Sequence, residues 1–203
     1  MIIGITGKSG TGKSYLSEII AEKLDMIHID IDKISHEVLT FPETKEFLKA
    51  EFGESVFDDG IVNRKKIGAI VFNNKTKLNK LNDFCQKLIE KKLDEIISNS
   101  QKSIILDYAL LPRLKQFNSC DLKILLHSDF ETRFIRVAKR ENITKDYFLS
   151  RDGSIEDFKN TSFDFVFENI NDTEIARLID YIKTNKKRSF YDKKNSNNNW
   201  WIW

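Results

Sequence analysis

A three-layer α/β fold around a mainly parallel five-stranded sheet is what the sequence predicts, and three observations predict it. Short continuous apolar runs alternate with segments of helical periodicity, the pattern of parallel strands joined by crossover helices. The first run empties into a glycine-rich turn, "GITGKSGTGKSYL" (4–16), that leads straight into a helix. The 203 residues suffice for one sizeable core with a smaller appended lobe, and would be cramped as two full domains.

Taken in order, "MIIGIT" is a short apolar run ending at the turn, which is how a strand buried on both faces reads, and it is expected at the centre of the sheet. Leu16, Ile19, Ile20 and Leu24 recur at helical spacing and predict a helix from Lys13 to Leu24. "MIHID" returns as the second strand. Between about Ile34 and Ser98 no convincing strand stands out, and Leu81, Cys85, Leu88, Ile89, Leu93 and Ile96 trace one face of a long helix, so this block is expected to be a helical insertion. "SIILD" (103–107) and "LKILL" (122–126) are the third and fourth strands. In "FDFVF" Phe163, Phe165 and Phe167 alternate with Asp164 and Val166, which suits a strand nearer the sheet edge. A last helix begins at Asn171 or Asp172, where Glu174 can complete a relative of the capping box, and it buries Ile175, Leu178, Ile179 and Ile182. From Thr184 periodicity is lost, and residues 187–203 are expected to be a disordered tail.

Composition excludes little but bounds the setting. With Lys+Arg 33 against Asp+Glu 31 there is no bias toward polyanions, and no nucleic-acid partner is expected. Cys85 and Cys120 lack CxxC spacing and read as reduced, buried thiols. No secretory start and no run near the roughly 18 apolar residues of a membrane span is present, so a cytoplasmic protein without membrane contact, monomeric or weakly self-associating, is expected.

"GKSGTGKS" fits G-x-x-x-x-G-K-[ST] with Gly7, Gly12, Lys13 and Ser14 in the fixed places. Glycines let successive N–H groups, those of Ser9, Gly10, Thr11 and Tyr15 among them, turn toward an anion, and the helix N-terminus adds partial positive charge. Lys13 then bridges the β and γ phosphates of ATP and the Ser14 hydroxyl takes one position on Mg²⁺. Elements that switch GTPases require, Asp-x-x-Gly and Asn-Lys-x-Asp, are missing, and the third strand ends in Asp107 and Tyr108 rather than a water-activating glutamate. Small-molecule phosphoryl transfer is favoured by elimination. "IDID" puts Asp30 and Asp32 at the carboxyl edge of the sheet, where a continuing strand would aim both the same way. There Asp32 can orient an acceptor hydroxyl and take its proton, or can simply cap the next helix. "SDFETRFIRVAKR" opens with the capping pair Ser128 and Glu131 and sets Arg133, Arg136 and Arg140 on one helix face, either a lid meeting transferred charge or a solvated basic face.

Together these segments resemble the dephospho-coenzyme A kinases, P-loop enzymes that phosphorylate the ribose 3'-hydroxyl of dephospho-coenzyme A. The likeness runs from Met1 to about Asn169 through "GITGKSGTGKS", "IDIDKISHEV", "FGESVFDDGIVNRKKIGAIVF", "ILDYALL", "RFIRVAKREN" and "FDFVFEN". It implies a P-loop nucleotide-kinase-like fold in one domain, 1–186, with a helical acceptor lobe at about 33–99 and a helical lid at about 128–160. It implies Asp32 as the catalytic carboxylate, Arg64 serving the substrate, Arg140, with Arg136, approaching the ATP phosphates, and Arg151 as a further lid arginine. Asn169 falls near the expected adenine, and Asp107 joins Asp32 and Arg64 on the acceptor side. The implied activity is the last step of coenzyme A biosynthesis, with ATP and Mg²⁺. Departures from the usual pattern fall at Gln86 and Lys87 in place of His-Pro, and at Ala109, Arg113 and Ser154. They leave open a kinase of another small alcohol or nucleoside, or an ATP-binding protein that contacts RNA or a partner through its tail and Trp200, Trp201 and Trp203.

Overall fold

In the computed structural model, which describes residues 1–152, 158 and 161–196 and the side chains among them up to 185, the expected strands assemble into one sheet. The strands are β1 (Ile2–Thr6), β2 (Ile27–Asp30), β5 (Ile104–Asp107), β6 (Leu122–His127) and β7 (Phe165–Glu168), in the order β2-β5-β1-β6-β7 and all parallel. The first strand is therefore central, and "FDFVF" lies at an edge. Phe163 stays out of the ladder, its ring set against Phe117 at 5.8 Å, while the Asp164 carboxylate accepts from the Lys123 N–H at 2.7 Å and carries the pairing one residue further.

Alternation along the strands feeds two apolar layers. Ile3, Ile5, Ile105 and Ile124 face α1 (Lys13–Leu24) and α8 (Asp172–Ser196) across a core closed by Leu16, Ile20, Leu178 and Ile182. Ile104 and Leu106 face the other way, onto α2 (Ile31–Val38) and α5 (Lys75–Asn99) through Ile34, Val38, Ile89 and Leu93. Cys85 and Cys120 are free and buried in that second layer, and burial pushes their thiols up to about 11 and about 12. Helices on both faces of a parallel sheet make the three layers.

The insertion carries α3 (Pro42–Phe52), α4 (Arg64–Val71) and a small core of its own from Leu48, Val56, Phe57, Ile67 and Val71. It is not wholly helical. β3 (Phe57–Asp58) and β4 (Ile61–Val62) form an antiparallel hairpin turned by Asp59 and Gly60, at φ 47 and φ 76, a two-residue connection with both residues left-handed. Strands of two residues are too short for alternation to register, but the Asp-Gly pair was the available signal.

Two further expectations are corrected at helix ends. The helix α6 (Phe130–Glu141) is capped by Asp129, whose carboxylate accepts from the Thr132 N–H at 2.9 Å, not by Ser128, whose buried hydroxyl has no partner. Beyond Thr184 the backbone of α8 continues as helix to Ser196, since the helical backbone does not require an apolar periodicity in order to continue. The start of α8 is as expected: Asn171 accepts from Thr173 and Glu174 while Glu174 accepts from the Asn171 N–H at 3.0 Å. Trp200, Trp201, Trp203 and Ser154 lie outside the described residues.

Candidate active site

A glycine-rich turn can bring backbone donors together only if side chains are absent where it folds on itself. At Gly7, φ 145, a Cβ would sit 2.2 Å from the Leu126 carbonyl oxygen, and at Gly10, φ 85, it would sit 2.7 Å from that of Arg133. The turn is thus wedged between β6 and α6. Thr11 ties it internally, its hydroxyl donating to the Lys8 carbonyl at 2.9 Å, and Lys13 donates to the same carbonyl at 3.3 Å. Burial holds the Lys13 ammonium below its usual range, and the carboxylates of Asp107, Asp32 and Asp30 pull the other way.

Lys13 and Ser14 open onto a cleft of about 1440 Å³, which Ser9, Asp30, Asp32, Arg64 and Arg140 also line. Strand β2 ends at Asp30, one residue before α2 begins, so the two aspartates do not share a strand face. Asp30 is the cap, accepting from the Lys33 N–H at 3.4 Å, and Asp32 stands in the first turn of the helix. That frees Asp32 from the capping role. Its side chain opens into the cleft but is ringed by protein, and the lost hydration raises its carboxyl above the ordinary aspartate range despite Lys13. Asp107 lies beneath the cleft, 3% exposed, with His28 Nε2 at 3.3 Å from its carboxylate.

The three arginines of α6 separate. Arg133 is 5% exposed and grips Asp152 at the end of α7 (Lys145–Asp152) through both carboxylate oxygens, one at 3.0 Å, while its Nε donates to the Ser128 carbonyl at 3.0 Å. It is a strut, not a cleft residue, because Asp152 draws it inward. Arg136 donates to the Gly10 carbonyl at 3.0 Å and lies outside the cleft lining. Arg140 does line it, paired with Glu141, and Glu141 also takes Arg151 at 2.6 Å. Burial would raise the Glu141 carboxyl, but its hydrogen bonds from Arg151 and Arg140 hold it below its usual range.

Tyr15, 58% exposed, and Asn169, whose φ of 52 ends β7 and whose N–H donates to the His127 carbonyl, are not part of the cleft lining. Residues that the sequence reading missed include Ile61 and Val62 of the unforeseen hairpin, His36, Tyr108 and Glu141. His36 titrates below its usual range through burial and the nearby Arg64. Among the described residues no cluster of three His, Cys, Asp or Glu could hold a metal unaided. The donors present are hard oxygens, the Ser14 hydroxyl and the Asp30 and Asp32 carboxylates, which fit Mg²⁺ held mainly through a ligand's phosphates and water.

The dephospho-CoA kinase family model matches residues 1–174 of this chain. A dephospho-CoA kinase of Fusobacterium nucleatum is 35% identical over 155 residues, covering 72% of this chain and 76% of that one. One from Halalkalibacterium halodurans is 28% identical over 194 residues, covering 90% and 96%. Among solved structures, TT1252 of Thermus thermophilus superposes with a TM-score of 0.74 at 23% identity, covering 91% of this chain and 97% of that one. The dephospho-CoA kinase of Campylobacter jejuni gives 0.54 at 24% identity, covering 89% and 96%. At those identities the superpositions speak for the fold.

Proposed function

The chain belongs to the dephospho-CoA kinase family, and on that premise we propose how its cleft performs the family's reaction. The enzyme phosphorylates the ribose 3'-hydroxyl of dephospho-coenzyme A at the expense of a nucleoside triphosphate, closing coenzyme A biosynthesis. ATP is the donor and Mg²⁺ the metal. The amides of the 7–15 turn take the β and γ phosphates and Lys13 neutralises the group in flight, while Ser14 would hold the metal, which would supply further positive charge against the phosphates. Asp32 orients the 3'-hydroxyl and accepts its proton late, as a loose transition state asks. Arg140, steadied with Arg151 by Glu141, meets charge spreading over the transferred oxygens. Arg64 receives the acceptor, and Asp107, braced by His28, holds the floor from which Asp32 and Lys13 work.

One observation carries this reading: phosphate-turn groups and an unengaged carboxylate, Lys13, Ser14 and Asp32, face a single cleft large enough for two ligands. The domain boundaries proposed are those of one unit, 1–186, with the acceptor lobe at about 33–99 and the lid at about 128–160. A cytoplasmic enzyme, monomeric or weakly self-associating and with no nucleic-acid partner, is proposed with it; no helix among the described residues is long and apolar enough to cross a membrane. The alternatives of another small alcohol or of an RNA-binding ATPase are not favoured by the family membership. The test is ADP release with and without dephospho-coenzyme A. Strong stimulation is expected, and its absence, or equal stimulation by nucleosides, would refute the acceptor assignment.

A further inference from the structure

Beside the cleft lies a second cavity of about 150 Å³, and the catalytic roles above leave it unused. The two spaces share Ser35, Asn82, Tyr108 and Leu110, so the smaller is a side chamber of the larger. Its walls are Leu39, Leu81, Ile89 and Leu114 with the Tyr108 ring, and Asn82, Gln86 and Arg113 supply its polar edge. A cavity of about 150 Å³ is the size that encloses one six-membered aromatic ring, and because this one opens into the cleft through the shared residues, a fused second ring can extend into its mouth. The chamber is built rather than left over. Gln86, at a position where the resembling family carries His, donates through its amide nitrogen to the Arg113 carbonyl at 2.8 Å and to Glu90 at 2.9 Å, and so fastens α5 to the turn after β5.

Its mouth is tied to the reacting centre. The Ser35 hydroxyl donates to the Asp32 carbonyl at 2.8 Å, one helical turn away, and the Asp32 carboxylate acts electrostatically on Tyr108. A hydroxyl bound at Asp32 belongs to a ribose, and that ribose carries a purine on one side and a diphosphate with a long flexible arm on the other. Only the purine is rigidly fixed within a few bonds of the reacting oxygen. It is flat and apolar on its faces and polar on its edge, the complement of a leucine and tyrosine slot edged by amides. The charged, extended arm suits the open, wet cleft instead.

We propose that this side chamber takes the adenine base of the acceptor, with Asn82 reading its edge and Tyr108 and Leu81 its faces; the assignment rests on dephospho-coenzyme A being the acceptor. It makes the chamber the specificity pocket for the acceptor.

The test is steady-state kinetics of Asn82→Trp, which fills the chamber from a half-buried helix position, beside Asn82→Ala, which leaves it open. Filling is expected to raise KM for dephospho-coenzyme A roughly tenfold or more, the discrimination a misfitting pocket imposes, with KM for ATP little changed and a smaller loss in the Ala variant. A crystal structure of the unaltered chain with dephospho-coenzyme A and a non-hydrolysable ATP analogue should show the base in the chamber. An unchanged acceptor KM in the Trp variant, or a base seated elsewhere in that complex, overturns the assignment while leaving the kinase reading intact. No dephospho-coenzyme A-stimulated ADP release by the unaltered chain would overturn both.

Discussion

At Asp32 two opposed forces act on one carboxyl: the cleft strips part of its hydration and favours the protonated form, Lys13 favours the charged form, and desolvation prevails. A proton acceptor must be ionised, so kcat/KM should fall as pH drops through a value above the ordinary aspartate range, and Asp32→Asn should lower kcat at least about a hundredfold while nucleotide affinity persists. The same imbalance bears on stability. With its folded pKa raised above the unfolded one, the carboxyl favours the folded chain fully only below the unfolded pKa, and that contribution is lost as pH rises through the folded value. Without nucleotide, then, Asp32→Asn should melt higher than the parent at pH 7, and the gap should close in acid. Calorimetry at both pH values checks it; a variant that melts lower at pH 7 would contradict the sign. Glu141 presents the opposite case, a carboxylate held ionised by two guanidiniums. Glu141→Gln should loosen Arg140, and Arg151 less because it also donates to the Ser9 hydroxyl at 3.2 Å, and reduce kcat/KM for ATP roughly tenfold, as removal of an orienting partner does at metal sites, with acceptor KM steady.

Among elements, the junction of the glycine turn with α6 ties the proposed lid to the phosphate turn. Gly10 lies against the Arg133 backbone, Arg136 holds the Gly10 carbonyl, and Arg133 holds Asp152. The base of α6 is therefore fixed to the phosphate turn, and through Asp152 and Arg151 so is the end of α7, although Asn142, at φ 51, breaks the backbone between the two helices. Gly10→Ala drives a methyl into backbone at a strained φ, and should destabilise the fold by about 1–3 kcal/mol and weaken ATP binding together; loss of one without the other would separate turn from helix. Much of this was legible beforehand, and the exceptions share a cause. Interior strands announce themselves because burial on both faces leaves an unbroken apolar run, as in "SIILD" and "LKILL". Which aspartate of "IDID" caps and which is free depends on where β2 stops, a matter of pairing with Asp107 rather than of local spacing. Likewise the spacing of Arg133 and Arg140 puts them on one face, but only Asp152, nineteen residues further on and across a turn, buries one and leaves the other to the cleft. The hairpin at 57–62 was hidden by brevity.

For the whole molecule the question is which helices the sheet can spare. The proposed acceptor lobe has its own small core and is joined to α5 where Phe47 and Phe84 stack at 4.1 Å, so on that proposal changes there should act first on acceptor binding. Helix α8 differs because it closes an entire layer, and among the described residues Ile182, fully buried, is its last core side chain. A chain ending at 186 should therefore keep its melting temperature within a few degrees and its ADP release intact, which also tests whether the tail matters. A chain ending at 177 loses Leu178, Ile179 and Ile182 from against α1. Losing one such side chain to alanine costs roughly 2–5 kcal/mol, and three exceed or exhaust the 5–15 kcal/mol or so that holds a domain folded. The expected result is an unfolded or insoluble product by circular dichroism. Were it to fold and turn over, α1 alone would have to cover that face of the sheet, and the stabilising weight assigned to the α8 side chains in the core would be wrong.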